Sequence, residues 1–276
     1  MLSLGNTAAR SKPGIREVLS QLADQIETVE ERSRQRRVRR GNLLAAEGSS
    51  FGAWGAVLSF GALHEWFGVG DGEAARRGGG AWAGEWSLPM GLLMWVARCA
   101  SGSEAGVRPR RVVWIGRRCW PYPRAMGRGL LACSIFVDAV CRDERVWASD
   151  LAMRCGAVAA VVADGSGLTM AETRRLQLAA GAGDTMGLIA RPAGERGVLS
   201  AAKTRWLVSC RPSPEDQPRW RVELLRCKGV RPLTEDARRW VALRDHETGD
   251  VHLVSDAGDR PAEAAGSQIE RYGRTA

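Results

Sequence analysis

The chain has 276 residues, 45% of them hydrophobic, enough to bury a sizeable core in one large domain with appendages. Forty lysines and arginines against 31 aspartates and glutamates leave a formal charge of +9, so a polyanionic partner is expected: nucleic acid or an acidic protein. No run of about 18 apolar residues occurs and the start MLSLGNTAARSKPG lacks the features of a secretory signal, so a cytoplasmic protein with no membrane partner is expected.

Residues 14–40 read as one helix. Ile15, Leu19, Leu22, Ile26 and Val29 are spaced 4, 3, 4, 3, a heptad seam of about two repeats. Beyond it lie Arg32, Arg34, Arg36, Arg37, Arg39 and Arg40. Two readings stay open: an arm that touches DNA or an acidic partner, and a solvated helix end whose charges suit the macrodipole.

Residues 41–62 are small, apolar and glycine-spotted, as in a loop entering a core. Leu63-His64-Glu65-Trp66 then leads into FGVGDGEAARRGGGAWAGEWSLPMG, residues 67–91. Leu88 to Cys99 has helical spacing, and residues 101–110 form a charged, turn-rich connection.

A clear alternation follows. Val112–Ile115 and Ser134–Val137 are short apolar strands. Asp143–Cys155 is an amphipathic helix stopped by Gly156. Ala157–Ala163 is a fully apolar strand ending at Asp164. Thr169 to Glu172 is a capping box opening a helix through Ala180, and Thr185–Ala190 is another strand. This pattern predicts an α/β fold with a mostly parallel sheet covered by helices on both faces. Thr204–Cys210 and Arg219–Cys227 alternate polar and apolar, and Trp240–Arg244 and Val251–Val254 flank a turn. These are expected as antiparallel C-terminal strands on the edge of the sheet. The residues after Asp256 read as a polar tail.

The glycine-rich stretch invites a phosphate-loop reading, because glycines let backbone N–H groups crowd around an anion. Such a loop reads G-x-x-x-x-G-K-[ST]; its lysine reaches the outer phosphates and its hydroxyl holds magnesium. The nearest spacing here is Gly79 to Gly84, followed by Glu85 and Trp86. Glu85 sets a negative charge where a positive one must meet phosphate. No lysine occurs between Lys12 and Lys203, so no ordinary phosphate loop can be built in the core. Arg76 and Arg77 can contact an anion, but arginine is no routine substitute in that cradle. Asp164 has the position of a strand-borne aspartate that helps hold magnesium; Asp-Gly-Ser-Gly is also ordinary turn chemistry. The expectation is a degenerate nucleotide region (Gly79, Gly84, Glu85 and Asp164) with no cofactor and no catalytic residue.

Other candidates are weaker. Seven cysteines form no C-x-x-C pair and only three histidines could help them, which argues against a metal site or a disulfide framework. His64 sits in an apolar context and is expected to pack; His246 and His252 flank a turn. Asp138, Asp143 and Glu144 could cluster, but a helix N-terminus accounts for the last two. Arg110, Arg111, Arg117 and Arg118 form a second basic group, after the N-terminal arm, for DNA or partner contact.

Several stretches together carry a family resemblance: VVWIGRRCWPYPRAMGRGL, FVDAVCRDERVWASDLAMRCGAVAAVVAD, RRLQLAAGAGDTMGLIARP, SAAKTRWLVSCRPS and PRWRVELLRCKGVRP. In this order, over residues 60–232, they resemble the ImuA family of RecA-related proteins tied to damage-induced mutagenesis. The resemblance implies a RecA-like core acting as an accessory in translesion synthesis. It implies a Y-family-polymerase-like partner of the ImuB type and an error-prone polymerase of the replicative class, with RecA and single-stranded DNA as further candidates. RecA's catalytic glutamate falls near Arg118 here, which with the missing lysine implies that ATP turnover is gone. The expected organisation is a basic helical arm over 1–41, a RecA-like core over 42–232, and a hairpin with a tail over 233–276. The expected function is a non-enzymatic adaptor; the alternative is a DNA-dependent ATPase or recombinase with an aberrant loop.

Overall fold

The computed structural model describes residues 57–69, 88–102, 109–211, 218–229, 238–245 and 248–255. The helix read over 14–40 and the tail after Asp256 lie outside them. The strands are β1 (Ala62–Val69), β2 (Arg111–Ile115), β3 (Ser134–Val137), β4 (Val158–Asp164), β5 (Met186–Pro192), β6 (Thr204–Arg211), β7 (Arg219–Cys227), β8 (Arg239–Arg244) and β9 (Val251–Ser255). The α-helices are α1 (Met90–Ser101), α2 (Gly127–Ala132), α3 (Arg142–Arg154) and α4 (Met170–Gly183).

All nine strands join one sheet in the order β3-β2-β4-β5-β1-β6-β7-β8-β9. The pairings from β3 through β6 are parallel. Those from β6 to β9 are antiparallel. The sequence pattern carries both halves. Every residue of β4, VAAVVAD, is buried, as a strand covered on both faces requires. In β7 burial alternates along the strand, as on a half-covered sheet.

Helices cover both faces. On one, Leu92, Trp95 and Val96 of α1 pack with Trp66, Trp114, Val162 and Leu188. Trp66 stacks on Trp206 at 5.4 Å between ring centroids, and Trp206 meets Trp240 at 6.1 Å. On the other face, Val146 and Met153 of α3 and Leu176 and Ala179 of α4 pack with Leu63, Val113, Val161 and Ile189. The two latter helices approach closely. A Cβ at Gly183 would stand 2.0 Å from the Met153 carbonyl oxygen, so only glycine fits there.

Caps set the helix starts. At α4, Thr169 Oγ1 accepts from the Glu172 N–H, and Glu172 Oε2 accepts from the Thr169 N–H at 2.7 Å. At α3, Glu144 Oε2 accepts from the backbone N–H groups of Val140 and Cys141, which explains this carboxylate without a catalytic role. Those two donors, Cys141 first, hold its pKa below the ordinary glutamate value.

One sequence expectation needs correction. Leu63–Trp66 reads as a lead-in to the glycine-rich loop, but Ala62–Val69 is β1, laid between β5 and β6 near the middle of the sheet. Phe67, Gly68 and Val69 therefore belong to a strand. His64 and Glu65 interrupt the apolar pattern there, yet both are wholly buried because distant residues satisfy them. His64 Nδ1 pairs with Thr204 Oγ1 at 2.7 Å, and His64 Nε2 with the Ser59 carbonyl at 3.0 Å. Burial lowers the His64 pKa to about 4 against the pull of the Ser59 bond, with the Lys203 charge adding to the lowering. Glu65 accepts from Arg191 Nη1 at 2.7 Å, Arg205 Nε at 2.8 Å and the Ser200 hydroxyl at 2.8 Å. Arg191 also donates to Glu195 Oε2 and to the Leu168 carbonyl.

Candidate functional site

The carboxyl ends of β2, β3 and β4 open onto a cavity of about 460 Å³. It is lined by Gly116, Arg117, Arg118, Asp138, Ala139, Val140, Arg145, Asp164 and Ser166. The chain leaves β2 toward β3 on one side and β4 toward β5 on the other, while β2 and β4 are neighbours. A crevice at such a reversal is where open α/β sheets place ligands.

Each wall has a local cause. Gly116 turns the chain out of β2 at φ 82°, a conformation that favours glycine. A Cβ there would also press on the Arg145 side chain at 3.1 Å. Arg117 then reaches across to Asp138 at the end of β3, with Nε to Oδ1 at 2.9 Å and Nη2 to Oδ2 at 2.6 Å. This fork holds the Asp138 pKa low and the Arg117 pKa high. Arg145, from the first turn of α3, donates Nε to the Asp164 carbonyl at 3.0 Å and Nη1 to the Val140 carbonyl at 3.1 Å. Cys119 lies buried below; burial first, then the Asp164 charge, pushes its thiol pKa well above the usual value.

Asp164 is the buried acid of the cavity. Its Oδ1 accepts from the Ser166 backbone N–H at 2.9 Å and from the Ser166 hydroxyl. Its Oδ2 faces the Arg145 guanidinium at 3.9 Å. The carboxylate thus closes its own turn and is neutralised by a fixed cation. Among the described residues no group of three His, Cys, Asp or Glu side chains is arranged to hold a metal ion.

The sequence-marked residues separate here. Arg117, Arg118 and Asp164 come together around the cavity. Arg110 and Arg111 do not, because they stand at the opposite end of β2, roughly 16 Å away at about 3.3 Å per residue. Arg110 Nη2 donates to the carbonyls of Gly156, Val158 and Asp184. Arg111 Nη1 donates to that of Ala132. Arg32, Arg34, Arg36, Arg37, Arg39 and Arg40, and Gly79, Gly84 and Glu85, lie outside the described residues. The helix after the glycine-rich stretch is described: α1 opens at Pro89-Met90-Gly91-Leu92, with no lysine or hydroxyl in its first turn. Sequence reading missed Arg145. Its signal was slight: a cation three residues into a helix that follows a strand.

No protein-family model matches the chain. It is 34% identical over 177 residues to Protein ImuA of Caulobacter vibrioides strain NA1000 / CB15N, a match covering 56% of this chain and 70% of that protein. Protein ImuA of strain ATCC 19089 / CIP 103742 of the same species gives the same figures.

Proposed function

Because the chain belongs to the ImuA family, we propose that it is a non-enzymatic, RecA-like adaptor in SOS-induced translesion DNA synthesis. Its main partner is a Y-family-polymerase-like protein of the ImuB type, acting with an error-prone polymerase of the replicative class. Family membership supports the role in damage-induced mutagenesis. The parallel sheet with helices on both faces supports the RecA-like core, here taken as residues 42–232, with a basic arm over 1–41 and a hairpin and tail over 233–276. The adaptor works in the cytoplasm; no described helix is long and apolar enough to cross a membrane.

The observation that carries the non-enzymatic reading is the state of Asp164. An aspartate that helps hold magnesium must offer a free oxygen to the ion's shell. Here one oxygen is taken by Ser166 and the other faces Arg145. Arg117 and Arg118 add two more cations at the same rim. A magnesium ion would have to displace a guanidinium that the backbone carbonyls of Asp164 and Val140 hold in place. A fold that keeps its sheet but fills its ion position with arginine is a platform for binding.

Two measurements test this. Calorimetry with ATP, with and without single-stranded DNA, is expected to give no binding heat. Saturable binding would reinstate the ATPase or recombinase alternative. Purified chain is expected to retain the polymerase-like partner in a pull-down, and failure to retain it would sink the adaptor reading.

A further inference from the structure

The connection from β2 to β3, which includes α2, carries an arrangement that the adaptor role does not use. Residues 116–133, GRRCWPYPRAMGRGLLAC, hold four arginines and no acid. Arg117 is committed to Asp138. Arg118, Arg124 and Arg128 are exposed, and among the described residues none of them has a hydrogen-bond or ion-pair partner. Between them stand two aromatic rings open to solvent, Trp120 at 38% and Tyr122 at 68% exposure.

The backbone holds these rings ready. Each precedes a proline, and a residue before proline is driven to extended conformations. Trp120 sits at φ −82°, ψ 114° and Tyr122 at φ −65°, ψ 123°. Pro123 then starts a tight helical turn that carries Arg124. In such an extended chain two residues advance about 6 Å. Trp120 is further fixed edge-on against Phe136 at 5.8 Å. Large exposed rings cost free energy in water, and here two are kept at the surface by prolines within a field of unpaired guanidiniums.

We propose that this face, Trp120, Tyr122, Arg118, Arg124 and Arg128, binds single-stranded DNA. Every base offers a π face, so stacking on Tyr122 and on the open side of Trp120 is sequence-tolerant, while the three arginines meet phosphates. A duplex hides its bases and would engage only the arginines. The inference deepens the proposed role and rests on it for the kind of strand, one laid open during damage bypass. It replaces Arg110 and Arg111, which are spent on carbonyls, with Arg124 and Arg128.

The test is fluorescence anisotropy of a dye-labelled oligodeoxythymidine with the full chain, over a salt series. Tyr122→Ala is expected to weaken binding about tenfold, from the loss of one stacked base, and the exposed position keeps the fold intact. The double variant Arg124→Ala, Arg128→Ala is expected to flatten the slope of log K against log salt by about 1.4, two phosphates at about 0.7 each. Arg174→Ala with Arg196→Ala, an equal loss of charge elsewhere on the surface, is expected to change the slope less. Wild-type affinity unchanged by Tyr122→Ala, or an equal loss in the charge-matched control, would overturn the inference and assign the binding to general basicity. Retention of the polymerase-like partner is measured on the same variants and is expected to persist. Loss of the partner with oligonucleotide binding intact would make this a protein-docking face and overturn the inference. Failure of the wild-type chain to retain the partner, with oligonucleotide binding present, would remove the adaptor reading alone.

Discussion

Arg191 and Glu65 meet at 2.7 Å with both side chains wholly buried, one on β5 and the other on β1. Arg205 on β6 closes the same carboxylate from the other side at 2.8 Å. Three adjacent strands are therefore tied by one glutamate. Removing one partner of a buried pair strands the others without water. Glu65→Ala is expected to cost about 3–5 kcal/mol, read as a lower urea midpoint. A change under 1 kcal/mol would mean that water reaches the two arginines.

Asp164 is expected to serve structure and not ion binding. Asp164→Ala leaves the Ser166 N–H and hydroxyl without their acceptor and removes the carboxylate that faces Arg145, so a loss of about 1–3 kcal/mol is expected in chemical denaturation. Magnesium added to the wild-type chain should leave the midpoint unchanged. A magnesium-dependent rise that Asp164→Ala abolishes would contradict this.

His64 makes stability depend on pH. Its folded pKa is depressed from 6.5 to about 4. Between those values the unfolded chain binds a proton that the folded chain refuses, so stability falls as pH drops from about 6.5 to about 4. Above pH 6.5 the contribution is complete. His64→Gln is expected to lower stability at pH 7 but to fall less steeply toward pH 5. Parallel curves for the two proteins in urea titrations would count against it.

Gly183→Ala is expected to destabilise by about 1–3 kcal/mol or more, seen as a drop in Tm, because backbone cannot yield as a side chain can. The carbonyl of Met153 occupies the place that the new methyl needs.

Strands with one consistent demand were legible. β4 is apolar up to its closing Asp164 because both of its faces are covered, and the spans of β3 and β7 follow their sequence patterns to the residue. β1 was not, because its two polar residues are satisfied by Thr204, Arg191 and Arg205, more than a hundred positions away. Nothing local in ALHEWFGV announces those partners. The cavity was half legible. Arg117, Arg118 and Asp164 each stood out, but only the sheet order brings the ends of β2 and β4 together. Proximity in sequence misled for Arg110 and Arg111, since a whole strand divides them from Arg117. The alternation Trp-Pro-Tyr-Pro-Arg was in plain view; its meaning depended on exposure.

The place of β1 has a consequence for synthesis. Its two ladder neighbours are β5 and β6, which begin at Met186 and Thr204. As the chain leaves the ribosome, β1 emerges well before either. At about 5–20 residues per second it waits on the order of ten seconds with both edges bare. During that interval Trp66 and Phe67 are open to any holdase or stray strand. Slower elongation over the segment from β1 to β5 lengthens that exposure in proportion.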